Sequence, residues 1–154
     1  MATPGYTVES NGDIALTAAT AKTVLSVINA ANSLIRITEL CASFDGTTLT
    51  AEPVTVELCS STQAGAGTST SHTIAQCRGP TRTVQATAAR NYTAEPTVLT
   101  VLKRWLVHPA GLSFVIQFPL GREPEQVTTA DALALRCTAP ANVNFQGYME
   151  FEEG

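Results

Sequence analysis

Two histidines, His72 and His108, are the imidazole bases that the sequence offers for acyl-transfer chemistry. Such chemistry needs a nucleophile, a base within hydrogen-bond reach and a third group that orients the base. Serines are plentiful, but no G-x-S-x-G nucleophile elbow lies beside either histidine. His108 is followed at once by Pro109, and His72 follows a serine- and threonine-rich run. We therefore interpret both histidines as surface or strand-edge side chains.

A pair of carboxylates across a cleft would be needed to hydrolyse a glycoside. The candidate acids fall mostly in turn-like segments or beside proline: Asp45, Glu52, Glu95, Glu123 and Glu125. No feature marks two of them as a pair, and neither glycine-rich phosphate-binding pattern occurs. We predict that the chain is not an enzyme, has no catalytic residue and uses no cofactor.

The four cysteines, Cys41, Cys59, Cys77 and Cys137, form no C-x-x-C pair. Structural zinc sites normally have closely spaced ligand pairs, so we predict no metal site. Cys41, Cys59 and Cys137 lie in strand-like segments, and we predict that they are small buried apolar side chains. One cross-strand disulfide is the alternative interpretation.

Charge and hydropathy argue against two kinds of partner, nucleic acid and membrane. The chain carries only two lysines and seven arginines, its net charge is −4, and the arginines are scattered from Arg36 to Arg136. Direct nucleic-acid binding needs a concentrated cationic surface, so we expect none. No segment approaches the roughly 18–20 apolar residues of a membrane-spanning helix, and the first ten residues lack a secretory pattern. We expect a soluble chain made in a cytoplasm, with Glu150, Glu152 and Glu153 in a solvated terminus.

The elements that must position these residues are strands. Hydrophobic residues make up 44% and charged residues 14% of the chain, and threonine, alanine and serine fill the difference. Threonine is β-branched and favours a pleated surface. Alternating apolar residues predict strands at 22–28, 34–44, 54–58, 81–92, 98–107, 113–118, 132–137 and 143–151. The fold class predicted is all-β: one antiparallel sandwich of about eight or nine strands, jelly-roll or Greek-key like.

Two regions outside this alternation are candidates for contact with other proteins. Residues 1–13 are polar and contain Pro4, Gly5 and Gly12, so we predict an extended N-terminal arm ahead of a domain at residues 14–154. Its contact candidates are Pro4, Tyr6 and Val8. Arg104 and Trp105 are candidates because such side chains anchor interfaces, although Trp105 packing in the core with Arg104 outside is the simpler interpretation. The run from 60 to 71 (SSTQAGAGTSTS) predicts a surface loop.

Six short stretches together resemble a known group of proteins. They are Ile35-Arg36-Ile37-Thr38-Glu39, Ser43-Phe44-Asp45-Gly46-Thr47, Ala51-Glu52-Pro53-Val54 with Glu57-Leu58, Trp105-Leu106-Val107-His108-Pro109, Gln117-Phe118-Pro119-Leu120-Gly121, and Thr138-Ala139-Pro140-Ala141-Asn142-Val143-Asn144. The chain resembles, over residues 22–153, small β-proteins encoded near the capsid genes of tailed phages and prophages, especially of actinobacterial hosts. These look like minor capsid or decoration (cement) proteins.

The resemblance implies a structural virion protein on the outer surface of a phage capsid, at the junctions between capsomers. It implies the major capsid protein as partner, and we expect a homotrimer because closed rings are the usual way to build oligomers. The alternative is a tail, fibre, receptor-binding or carbohydrate-binding sandwich module. We expect the N-terminal arm to be a contact with the particle, so deletion of residues 1–13 is expected to leave the domain folded but to weaken capsid binding.

Overall fold

The alternating segments form strands in the computed structural model, which describes residues 3–47, 51–62 and 64–154, except that the strand predicted at 81–92 begins only at Thr87. These ranges contain thirteen strands and no helix, so no helix there could span a membrane. The strands are β1 (Gly5–Glu9), β2 (Ile14–Leu16), β3 (Ala21–Ile28), β4 (Ile35–Phe44), β5 (Val54–Ser61), β6 (Thr68–His72), β7 (Ala75–Arg78), β8 (Thr87–Ala94), β9 (Leu99–Val107), β10 (Phe114–Gln117), β11 (Glu125–Gln126), β12 (Ala132–Thr138) and β13 (Val143–Glu153).

Two antiparallel sheets pack against each other, which confirms the all-β sandwich. The first sheet has the order β10-β4-β13-β1-β7, with β11 beside β4 and β2 beside β13. The second has the order β6-β8-β3-β12-β5-β9. The strands outnumber the eight or nine predicted because β1, β2, β6, β7 and β11 are short or lack apolar alternation.

The core lies between the two sheets and is lined by the inward faces of the longer strands together with β1 and β2. Leu133, Leu135 and Cys137 of β12 are completely buried, as their alternation predicts. The largest fully buried side chains come from both sheets: Tyr6, Ile14, Leu25, Ile35, Ile37, Leu40, Leu58, Leu133, Leu135, Phe145, Met149 and Phe151. Burial of such side chains is worth roughly 1.5–3 kcal/mol each, which makes this layer the main source of stability.

The middle of the outer face of the second sheet is also buried, where two linkers lie side by side against it. Thr97 donates its backbone N–H to the Gly65 carbonyl at 2.8 Å, which joins the β5–β6 and β8–β9 linkers. The Glu95 carboxylate then accepts hydrogen bonds from the backbone and hydroxyl of Thr23, both at 2.6 Å. Gly67 has φ +79°, and a Cβ there would lie 2.3 Å from the Ala94 carbonyl oxygen. Glycine is therefore required for the linkers to lie this close.

This cover explains why small side chains on the outer face are buried. Cys59, Ala134 and Ser26 have almost no exposed surface, and the Ser26 and Tyr92 hydroxyls share a hydrogen bond of 2.7 Å. All four cysteines are free thiols; Cys77 is exposed and the other three are buried, as predicted. Burial raises the pKa of the Cys59 thiol to about 11.

The predicted N-terminal arm is wrong for the residues that the structure describes. β1 lies between β13 and β7, with Tyr6 opposite Phe151 and Val8 opposite Met149. The domain therefore begins before residue 14, and only Met1 and Ala2 of the predicted arm lie outside the described residues. The physical reason is that Tyr6 and Val8 lie on the same face of the strand and are buried in the core. Burial of these two apolar side chains stabilises the strand although the residues around them are polar.

Two further predictions need correction. Residues 60–71 are not one loop: Ser60 and Ser61 belong to β5, and Thr68–His72 pairs with β8 as β6. The C-terminal acids are not a solvated terminus, because β13 runs through the middle of the first sheet. Glu153 is buried and its carboxylate accepts backbone hydrogen bonds from residues 85 and 86 at 2.6–3.0 Å.

Candidate interaction surface

The exposed large hydrophobic side chains of the described residues all lie within one stretch of chain, residues 98–127. They are Val98, Val101, Leu102, Leu106, Leu112, Val115, Leu120 and Val127. Leu106 is 69% exposed, and Leu112 and Leu120 are each 94% exposed. The stretch contains β9, β10, β11 and the loops that join them, and we call it the apolar edge.

Two strands of the apolar edge, β9 and β10, lie side by side where the two sheets end. β9 is the last strand of the second sheet and pairs only with β5, while β10 is the last strand of the first sheet and pairs only with β4. Trp105 of β9 and Phe114 of β10 contact each other, with ring centroids 5.4 Å apart and ring planes 47° apart. This contact closes the seam between the sheets and leaves the outward side of both strands free.

β9 presents apolar side chains on both faces because its alternation is interrupted. Trp105 and Val107 lie opposite Val56 and Val54 and point toward the core, whereas Leu106 lies opposite Thr55 and points outward. The register shifts between Lys103 and Val101, so Leu102 is an extra, bulged residue. A bulge of this kind re-aims the side chains beyond it.

Lys103 occupies the inner face of β9 next to Trp105. It lies opposite Leu58, and its Nζ lies 5.7 Å from the centroid of the Phe118 ring. A cation over an aromatic ring is attracted to the ring's negative face. The ammonium group is therefore held at the mouth of the seam, where the side chain remains exposed.

Arg104 is fixed on the outer face by a buried carboxylate. Glu57, whose side chain is only 5% exposed, accepts hydrogen bonds on one oxygen from Arg104 and on the other from Arg136, at 2.6–2.7 Å. Burial alone would raise the pKa of Glu57, but the hydrogen bonds from Arg136 and Arg104 outweigh it, so this pKa lies below its usual value. The cluster joins β9, β5 and β12 and holds the edge strand in place.

Of the predicted contact residues, the structure brings together only Arg104 and Trp105. Trp105 is partly buried against the core and Arg104 points outward, as the simpler interpretation had it. Pro4, Tyr6 and Val8 are buried on the far side of β13 and present no surface for a partner. Sequence reasoning missed Leu106, Leu112 and Leu120, although apolar residues on both faces of 99–107 already indicated an unusual strand.

The two histidines contact groups that hold the fold together: His72 lies near a carboxylate of another strand, and His108 accepts a backbone hydrogen bond. His72 lies in edge strand β6, with Nε2 3.6 Å from a Glu9 carboxylate oxygen of β1. The Nδ1 of His108 accepts a hydrogen bond of 3.2 Å from the backbone of Ala110 in the turn after β9. In the described part of the chain, no three His, Cys, Asp or Glu side chains lie close enough to hold a metal ion.

No protein-family model, curated protein or solved structure was found to match this chain. The geometry of the apolar edge is therefore the observation from which a function can be inferred.

Proposed function

We propose that this chain is a structural protein of a virus particle, which decorates or cements the outer surface of a phage capsid at the junctions between capsomers. The observation that supports the proposal best is the apolar edge: the exposed large hydrophobic side chains of the described residues all lie in residues 98–127, and β9 and β10 of this stretch each end a sheet. The sequence resemblance to phage decoration proteins gives the capsid as the setting.

An apolar surface of this kind favours contact with another protein. Isolated exposed apolar residues are ordinary, but a concentrated group marks an interaction surface. β9 adds an unpaired strand edge, a feature that proteins usually shorten or cover unless it has a partner. Trp105 and Arg104 are of the residue types that dominate interface energetics. The edge thus combines apolar area, free backbone groups and anchor side chains.

A cementing role suits a body of this construction. A decoration protein adds contacts between neighbouring capsomers, so it must transmit force without deforming. The middle of the second sheet is buried on both faces and the core is filled by large side chains from both sheets, which favours a stiff domain. Many copies on a symmetric shell would multiply weak individual contacts. The major capsid protein is the proposed partner, and a homotrimer remains our expectation for the assembled form.

Co-sedimentation with capsids tests this function. Capsids assembled from the proposed partner, the major capsid protein of the same phage or prophage, are incubated with purified protein, and occupancy is measured after gradient sedimentation. We expect the wild-type chain to saturate a fixed number of sites. Leu106→Lys should lower the affinity at least tenfold, which corresponds to about 1.4 kcal/mol, because it puts a charge into the apolar contact.

The matched control is Ala75→Lys, which adds the same charge at an exposed position of β7, an edge strand at the other end of the first sheet. It should bind as the wild type does. Absence of the chain from capsids, or its recovery only with tail fractions, would contradict the decoration role and favour the tail or fibre alternative.

A further inference from the structure

We propose that β9 receives an extended, acidic strand from a partner protein, which adds to the second sheet by backbone pairing. This inference rests on the proposed function in one respect, that the apolar edge is a contact surface. It goes further by naming the kind of segment bound: several residues in extended conformation, with apolar side chains and at least one carboxylate.

β9 is suited to strand addition by its length and position. It has nine residues. The other edge strands of the two sheets are shorter: β6 has five residues, and β7 and β10 have four each. Neighbouring strands in a sheet lie about 4.8 Å apart and share main-chain hydrogen bonds. An added strand would satisfy the outward backbone groups of β9, and pockets on either side would select its side chains.

Apolar side chains flank the free edge of β9 on both faces. Leu106 lies on the outer face, and Trp105 with Phe114 lies on the inner face, at the seam. The side chains of an added strand alternate between the two faces, so both sets would find apolar neighbours. An extended strand is therefore the partner that would contact the apolar side chains on both faces of the sheet, which a helix or a flat surface would not do.

Charge decides between an acidic strand and a second copy of β9. Lys103, Arg104 and Arg136 lie at or beside this edge, and Glu57 pairs with both arginines, so this group of four side chains carries two net positive charges in a chain of net charge −4. If two copies paired their β9 strands antiparallel in full overlap, Lys103 would lie opposite its own counterpart. Like charges directly opposite each other destabilise a strand pair, whereas opposite charges stabilise it.

Three capped peptides test the inference with the full chain: TVEVEVT, its basic counterpart TVKVKVT, and TVEVEVT with alternate backbone amides N-methylated to block one hydrogen-bonding edge. Trp105 is the only tryptophan, so its fluorescence reports binding at β9 directly. We expect the acidic peptide to bind at least tenfold more tightly than the basic one. It should also slow amide hydrogen exchange at residues 103–107, and the N-methylated peptide should do neither.

Two lysine variants supply the matched comparison. Lys103→Glu should reverse the preference, so that TVKVKVT binds more tightly than TVEVEVT. Lys22→Glu changes the chain's other lysine, which lies on the interior strand β3, and should leave the preference unchanged. Circular dichroism and melting curves establish that both variants remain folded.

Equal binding of the acidic and basic peptides, or binding without slower exchange in β9, would overturn the inference. So would concentration-dependent self-association of the chain that protects the same amides, because a second copy would then be the occupant. The capsid assay separates the two proposals. Leu106-dependent capsid binding without peptide binding would leave the function standing, whereas peptide binding by a chain that never joins capsids would leave strand addition standing.

Discussion

Removal of the charge on Glu57 should destabilise the domain, and the loss should disappear in acid. In Glu57→Gln, Arg136 loses its carboxylate partner while only 22% of its side chain is exposed. Hydrogen bonds to charged groups are worth roughly 1.5–3 kcal/mol. Arg104 is 62% exposed, and water replaces most of what it loses. We therefore expect the free energy of unfolding at pH 7 to fall by about 2–4 kcal/mol, somewhat less than the roughly 3–5 kcal/mol for breaking a fully buried ion pair.

The sign of the pH dependence follows from the lowered pKa of Glu57 in the folded chain. The unfolded chain takes up a proton first, near the usual glutamate pKa of about 4.3. The stabilisation is therefore fully present above that pH and is lost as the pH falls through the lower pKa of the folded state. Because glutamine does not titrate, the difference in stability between the wild-type and Glu57→Gln proteins should begin to shrink near pH 4 and should vanish only below the folded-state pKa of Glu57.

Urea unfolding at pH 7, 5, 4 and 3.5, followed by Trp105 fluorescence and circular dichroism, measures this difference. For a domain of this size, the loss at pH 7 corresponds to a decrease in Tm of about 4–16 °C. Glu125→Gln is the matched control, because Glu125 pairs with Arg36 at 3.2 Å while both side chains are about half exposed. Its effect should be below about 1 kcal/mol. A loss in Glu57→Gln that is equally small, or one that does not change with pH, would refute the reasoning.

Three further results are expected. Leu135→Ala should cost about 2–5 kcal/mol because Leu135 is completely buried, whereas Leu106→Ala should cost under about 0.5 kcal/mol; equal urea midpoints would show that the inner and outer faces are misassigned. Deletion of residues 1–13 should prevent folding, because it removes β1 from between β13 and β7; a cooperative melting curve for the truncated chain would contradict this topology. A thiol reagent should label one cysteine per native chain, Cys77, and four after unfolding; rapid labelling of Cys59 in the native chain would show that the two linkers do not cover the middle of the second sheet.

The inner faces of the long strands could be predicted from the sequence because period-two alternation shows one-sided burial directly. Leu133, Leu135 and Cys137 follow this pattern without interruption and are completely buried. Phe114 and Ile116 also share the inner face, but they lie on the edge strand β10 and are only partly buried. Alternation thus identifies a face, while the depth of burial depends on the strand's position in the sheet.

The errors have physical causes at particular residues. Tyr6 and Val8 alternate, but glycine and proline beside them made the segment resemble an arm. The serine and threonine residues of β6 have no apolar pattern, and pairing with β8, distant in sequence, makes them a strand. The buried Cys59 lies on an outer face, which only the crossing of the two linkers covers.

The candidate surface was harder to predict than the fold. Arg104 and Trp105 could be named from their residue types, but the sequence does not show that β9 ends its sheet. Since strand order depends on pairings between distant residues, the exposure of Leu106, Leu112 and Leu120 becomes visible only when both sheets are assembled.

Reconstruction of the capsid at side-chain resolution, with this chain bound, tests the central claim most directly. We expect density for the sandwich at capsomer junctions, with Leu106 and Trp105 against a neighbouring protein and an extended segment paired along β9. A reconstruction in which residues 98–127 face solvent, while another surface of the domain meets the shell, would contradict the assignment of the contact.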